Sequence, residues 1–468
     1  MSAHIAPSRA ERMTPRAWGL LLVLSGAAFL EGIDVSMMGV ALPSIRAELG
    51  MSTSSLQWVV SAYVLGYAGF VLLGGRAADL LGRRRMFLTW LVVFVAFSGL
   101  GGLAGEGWVL VTARFVTGVA AAFLTPAGLS IITTTFAEGR VRNRAVLVYA
   151  GAGAGGFSLG MVVGGLLTAV HWRWVFFAPV VVAAVLLVAA VALVPREPGS
   201  RPQARGIDVA GTLTLTGAMV LLVLTVVHAP EVAPAVTAAT LAGAVVLLAA
   251  FVRLERRSPA PLVRLGILRS VPLLRANAGA VLLLASFMAF QFIVVLHLQE
   301  LRGWSTVETG LALAVLGIDA VLAPTLTPVL VNRFGNPRVL VTGMAFAALG
   351  YLLFLPLGPG WTFVAMLPAF LALGLAFTLA YGTLAIAATD GVADDEQGLA
   401  SGLLTTSFQF GAALGLAVAT AVVVAATADT SPQAVLAGHR AGLVVPLAAA
   451  VLGTALLATG LRRRRSAT

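Results

Sequence analysis

Residues 74–85 read GGRAADLLGRRR. Apolar runs near 56–73 and 86–104 flank the string, and each approaches the roughly 20 mostly apolar residues a membrane crossing needs. Its glycines let a tight turn form between two helices. Asp79 can cap a helix N-terminus or accept from the neighbouring arginines. Taken alone, the string reads equally as a plain basic hairpin between two membrane spans.

Composition supports the membrane setting. The 468 residues are 59% hydrophobic and 10% charged, whereas soluble chains carry about 25% charged residues. The chain has no cysteine, which excludes disulfides, thiolate metal sites and cysteine nucleophiles. Five scattered histidines without HExxH spacing give no reason to expect a metal, and no cofactor is expected. Residues 1–17 are polar and basic, and no small-residue cleavage site follows the first apolar run. That run is read as a retained span, not a signal peptide.

Apolar runs place spans near 18–43, 56–73, 86–104, 108–135, 145–169, 174–194, 209–228, 235–252, 277–298, 307–331, 339–356, 361–388, 399–425 and 443–461. The expectation is an all-α polytopic protein of fourteen spans. With the N-terminus inside, inner segments hold 25 arginines and outer loops only Arg46, Arg173, Arg302 and Arg440. That asymmetry follows the positive-inside rule and puts both termini in the cytoplasm. The net charge of +11 is thereby explained by topology, and no nucleic-acid partner is expected.

A second loop repeats the first. NRFGNPR (residues 332–338) follows span ten as DLLGRRR (79–85) follows span two, with Gly82 matching Gly335 and Arg85 matching Arg338. Two six-span halves around a midplane site are a common transporter design. The expected organisation is a cytoplasmic segment 1–17, a six-helix bundle 18–195, an inserted helix pair with basic loops at 196–276, a second six-helix bundle 277–461 and a basic tail 462–468.

The full string at 74–85 resembles the signature loop between spans two and three of the major facilitator superfamily. GIDVSMMGVALPSI (32–45) with LQWVVSAYVLGYA (56–68), ARFVTGVAAAFLTPAGLSII (113–132) and GLASGLLTTSFQFGAALG (398–415) resemble spans one, two, four and thirteen of its fourteen-span drug:proton antiporter branch. The resemblance covers nearly the whole chain. It implies two six-helix bundles plus two extra helices and export of hydrophobic or amphipathic small molecules, such as antibiotics, in exchange for protons. It also implies a conformational latch at Gly75, Asp79, Gly82, Arg83 and Arg84, in which Asp79 and Arg83 hold the outward-facing state. One departure is clear: FSLGMVVGG (157–165) has Met161 where the branch usually has a proline associated with antiport. Gly156, Gly160, Gly164 and Gly165 remain, at a spacing that lets two helices approach closely.

Glu31 and Asp34 lie inside the first span, where an ionised side chain costs roughly 2.5–3.5 kcal/mol on insertion scales. Three residues apart, they share a helix face and suit proton coupling as a pair. Arg114 is the one arginine within a span. At about 1.5 Å per residue it lies on the order of 9 Å below the outer end of span four, and Asp34 on the order of 12 Å below that of span one. Comparable depth makes an ion pair possible, and snorkelling to the interface is the other reading. Asp319, near the centre of span ten, is outside the family pattern. It reads either as a cavity acid for a cationic substrate or second proton, or as a polar contact between helices. Tyr63, Gln291, His297, Tyr381 and Gln409 are further candidate cavity groups, while phenylalanines and methionines are read as core or lipid-facing.

Three outlying segments take modest readings. DGVADDEQ (390–397) is an acidic cytoplasmic loop, LVRLGILRSVPLLR (262–275) an amphipathic segment on the inner leaflet, and Arg462–Arg465 an anchor near anionic lipid. The expected partners are a small-molecule substrate, protons and the bilayer, with a monomeric chain in the cell membrane. The rival readings are a narrow-substrate metabolite or lipid exporter, or a uniporter, of the same fold. A membrane prenyltransferase-like enzyme would use the Asp390–Asp394 spacing, but no second acidic motif accompanies it.

Overall fold

A computed structural model describes residues 13–136, 140–196, 209–228, 232–258, 265–358, 360–390, 392 and 397–465. Every regular element among them is helical. With no water in the bilayer core, a spanning segment must satisfy its own backbone, which an α-helix does.

The first half comprises α1 (Pro15–Leu49), α2 (Thr53–Leu81), α3 (Arg83–Leu103), α4 (Gly107–Thr135), α5 (Arg140–Val170) and α6 (Trp174–Leu193). Then come α7 (Val209–His228) and α8 (Pro234–Arg257). The second half has α9 (Val271–Leu296), α10 (Thr306–Ala314), α11 (Asp319–Phe334), α12 (Asn336–Phe354), α13 (Phe363–Thr389), α14 (Gln397–Ala426), α15 (Pro432–Gly442) and α16 (Val444–Arg465). Among the described residues, twelve helices are long and apolar enough to cross a membrane. The 29-residue α2 and the 20-residue α7 are not among the twelve.

The halves repeat one packing scheme. α1 packs on α5 as α9 packs on α14, α3 on α4 as α12 on α13, and α3 on α6 as α12 on α16. The two basic joints match as well. Gly82 (φ 94°) alone separates α2 from α3, and Gly335 (φ 82°) alone separates α11 from α12. That backbone region is one a side chain rarely adopts, so glycine at both positions has a shared physical cause. α7 and α8 pack on each other, and α7 also touches α2 and α14 at the seam between halves.

Small residues set the closest approaches. A Cβ at Gly156 would meet the backbone of Phe29, and one at Gly160 would meet Ser36 and Ile33. On the far side of α5, Gly165 lies against Thr306 and the Met161 carbonyl against Gly310. α5 is thus pressed between the two halves and runs unbroken through Met161.

Three departures from the expected spans have local causes. α1 continues six residues beyond Pro43 to Leu49, where Gly50 closes it in the left-handed conformation (φ 62°). Span ten, expected as one helix, is divided into α10 and α11 by a 3-10 turn at Val315–Ile318. The turn falls where Gly317 comes against Ser158 of α5, leaving no space for a side chain. The segment 262–275 is only partly described; its last residues form the start of α9 after a 3-10 turn at Leu265–Arg269. Residues 1–12, 391 and 393–396 and the side chains of Arg462–Arg465 lie outside the description.

Gly160→Leu should therefore prevent α1 and α5 from closing, whereas Gly99→Leu, whose Cβ meets open space, should not. Thermal unfolding of detergent-purified protein should show a drop of several degrees, or loss of the monodisperse peak, for Gly160→Leu alone.

Candidate functional site

The centre of the first half is built by α4 lying against both α1 and α2. A Cβ at Gly118 of α4 would collide with the Tyr63 carbonyl, and one at Gly66 of α2 with that of Phe115. Arg114 stands one turn before Gly118 and so faces α2 at its nearest approach. Its Nε donates to the Val59 carbonyl (3.1 Å), its Nη1 to Asp34 Oδ2 (2.6 Å), and its guanidinium lies 4.4 Å above the Tyr63 ring. Asp34 and Arg114 are 0% and 1% exposed, which rules out snorkelling to an interface. Each charge is compensated by the other, and a desolvated cation–π contact adds about 2 kcal/mol. Asp34 Oδ1 has no hydrogen-bond partner.

Glu31 lies one turn deeper on α1 and accepts a hydrogen bond from Thr125 Oγ1 of α4. The Thr125 carbonyl in turn accepts from the Tyr149 hydroxyl of α5 (3.0 Å). Glu31, Thr125 and Tyr149 border a cavity of about 10 Å³, room for about one water. Pro126 follows Thr125 within α4 and has no N–H to offer the preceding turn. Gly74 of α2 approaches that turn at the Ala122 carbonyl.

Hydrogen bonds between the halves gather towards one end. Arg46 at the end of α1 pairs with Glu300 (2.9 Å) in the π-helical turn His297–Leu301, and Gln299 donates to the Val40 carbonyl (2.9 Å). Thr306 at the start of α10 donates to the Gly165 carbonyl (3.0 Å). This is the end that bears the turns at 50–52, 171–173 and 302–305. The joints at Gly82 and Gly335 lie at the other end, towards which α13 exposes Tyr381, Gly382, Ala385 and Ile386.

The remaining candidates separate by environment. Tyr63 joins Asp34 and Arg114, and Gln291 is buried against Gly39 of α1 with its Nε2 lacking a partner. Asp319 is half-buried at the first residue of α11, and Tyr381 is half-exposed on α13. Gln409 is half-buried on α14, and His297 is buried 5.8 Å from the His439 ring. At the basic joint, Gly75 faces Pro126 and Arg84 donates to the Val191 carbonyl near the end of α6 (2.8 Å). The Asp79 side chain lies outside the described residues. Among the described residues no three His, Cys, Asp or Glu side chains are grouped to hold a metal.

Sequence reading alone misses Thr125, which donates to Glu31, Tyr149, which donates to the Thr125 carbonyl, and Glu300, the partner of Arg46. The TP step at 125–126 is a visible signal for the first, because it marks a weakened turn in a span. Nothing in the spacing pairs Arg46 with a residue 254 positions away.

Comparison with known proteins agrees with this architecture. Residues 24–416 match the model of the Major Facilitator Superfamily. The puromycin resistance protein pur8 of Streptomyces alboniger is 35% identical, over 95% of this chain and 91% of that one. The cephamycin export protein CmcT of Amycolatopsis lactamdurans is 36% identical, over 95% and 92% respectively. Among solved structures, an inward-facing, occupied bacterial homologue of the human lysosomal transporter Spinster superposes with a TM-score of 0.68 at 18% identity, over 96% of this chain and 98% of that one.

Arg114→Gln should strand a buried carboxylate and destabilise the first half by about 3–5 kcal/mol. Adding Asp34→Asn to it should restore part of that loss. Thermal midpoints of the two single variants and the double variant, measured in one detergent, check the coupling.

Proposed function

The chain belongs to the major facilitator superfamily, and from that premise we propose that it exports hydrophobic or amphipathic small molecules in exchange for protons by alternating access. It is a multi-pass cell-membrane transporter of the drug-efflux kind and not an enzyme. Puromycin resistance and cephamycin export, the roles named for two relatives, support antibiotics as the substrate class. The observation that carries the proton reading is the buried Asp34–Arg114 pair with Glu31 one turn away.

In this reading α2 and α7 complete fourteen spans, both termini are cytoplasmic, and the chain works as a monomer. The halves are 18–195 and 277–461, with 196–276 an inserted pair. The end closed by Arg46–Glu300 faces away from the cytoplasm, so the conformation is inward-facing. Protonation of Asp34 removes its charge from Arg114, which keeps the Val59 carbonyl and the Tyr63 ring as partners. That loss of pairing biases the halves between their two arrangements. Glu31 carries the second proton position, Asp319 is a cavity acid for a cationic substrate, and Gln291, Tyr381 and Gln409 line the substrate cavity. The joint at Gly75, Asp79, Gly82, Arg83 and Arg84 latches the opposite state, in which the cytoplasmic end is closed. The glycine row at Gly156, Gly160, Gly164 and Gly165 lets α5 slide between α1 and α10.

Met161 favours the second reading, a uniporter or narrow-substrate exporter of the same fold, because the proline associated with antiport is absent from an unbroken α5. The deciding experiment uses everted vesicles energised by respiration, with a pH-gradient dye and a panel of antibiotics. Proton antiport predicts substrate-dependent dequenching that Asp34→Asn abolishes while the protein remains in the membrane. Substrate uptake into the same vesicles that is unchanged in Asp34→Asn would sink the proton reading.

Alternating access has a separate test. The chain lacks cysteine, so Arg46→Cys/Glu300→Cys introduces the only thiol pair. Oxidation should join the halves and arrest transport, and a reductant should restore it.

A further inference from the structure

Two aromatic groups involve the second half, and they differ in kind. Phe290, Tyr351, Phe354 and Phe370 interlock with edge-on and tilted contacts and are completely buried. They are core. The second group is a row: Phe157 of α5, Phe287 of α9, Phe377 and Tyr381 of α13, and Phe408 of α14. Successive ring centroids are 5.9, 4.5, 6.4 and 4.7 Å apart, all within stacking range. It joins both halves, since Phe157 belongs to the first and the other four to the second.

Exposure along the row is graded. Phe287 and Phe408 are buried at 3% and 7%, Phe157 and Phe377 are half-buried, and Tyr381 is 50% exposed. Phe408 covers one face of Tyr381, nearly parallel at 13°, and a Cβ at the adjacent Gly382 would meet open space. Through Phe377 and Phe287 the face of α13 that carries Tyr381 is linked to Phe157 of the first half, so this face is turned to the junction between the halves. Phe377 and Tyr381 are four residues apart and share one helix face.

We propose that this row is a stacking surface for planar aromatic substrates, with Phe377 and Tyr381 the rings that select them. The inference rests on the export reading and refines its substrate class. A flat ring system laid on Tyr381 continues the series begun by Phe408. The contact between Phe157 and Phe287 closes the row at its far end.

The test compares two monocations that differ in ring content, ethidium and tetrapentylammonium, binding to the full chain in nanodiscs. The ethidium Kd should rise about five- to tenfold in Phe377→Leu and Tyr381→Leu. In Tyr381→Phe, which keeps the ring, it should stay within about twofold. Tetrapentylammonium affinity should fall clearly less than ethidium affinity in each leucine variant, and a monodisperse size-exclusion peak reports that each variant is folded. Equal loss of both ligands, no loss of ethidium, or a wild type that does not bind ethidium would each overturn the proposal. The export reading fails separately: ring-dependent ethidium binding without ethidium accumulation in energised everted vesicles would uphold the stacking surface and reject transport.

Discussion

The ion pair between Asp34 and Arg114 is the constraint around which the first half is arranged. Neither side chain reaches water, and a lone charge at that depth is costly whichever insertion scale is used. The pair is set in a bundle of four helices that meet closely at small residues. Gly118 and Gly66 bring α4 and α2 into backbone contact, while Gly156 and Gly160 hold α1 against α5. The same close approach delivers the Val59 carbonyl and the Tyr63 ring to the guanidinium. Glycine spacing and charge pairing are therefore one design. Widening any of these contacts would leave buried charge without compensation.

That rigidity in the first half contrasts with the junction to the second. Across the junction, hydrogen bonds concentrate at one end, and the ion pair there is partly exposed, with 35% and 28% of its side-chain surface accessible. Exposed pairs of this kind contribute at most about 1 kcal/mol. Such a contact can form and part during a cycle, which a buried pair of the Asp34–Arg114 type cannot do cheaply unless a proton replaces the lost partner. The two kinds of ion pair thus suit the two proposed roles, a coupling site and a gate.

Much of the fold was legible in advance. The apolar runs read as spans fall on helices, span ten on two of them around a 3-10 turn, and twelve of the described helices are long and apolar enough to cross a membrane. The Gly82–Gly335 match, only a short string in the sequence, proves to be two helix joints of the same positive-φ conformation. Local geometry set by neighbours leaves no such record in the sequence. The 3-10 turn before Asp319 arises where Gly317 meets Ser158, and α15 (Pro432–Gly442) lies in what reads as a loop. The aromatic row is hidden in the sequence for a similar reason. A phenylalanine facing lipid, core or cavity has the same appearance in a sequence of this composition.

The sequence by itself determined the membrane setting, the helices, their repeat and the few buried charges, since each follows from how individual residues partition between lipid and water. It also carried the likeness to the superfamily, which the match over residues 24–416 establishes. The tertiary structure alone decided which charges meet. Asp34 and Arg114 are 80 positions apart, Glu31 and Thr125 are 94 apart, and Arg46 and Glu300 are 254 apart. Hydropathy records depth but not azimuth. Only the packing of helices around one another determines whether two groups at the same depth touch or face opposite sides of the bundle.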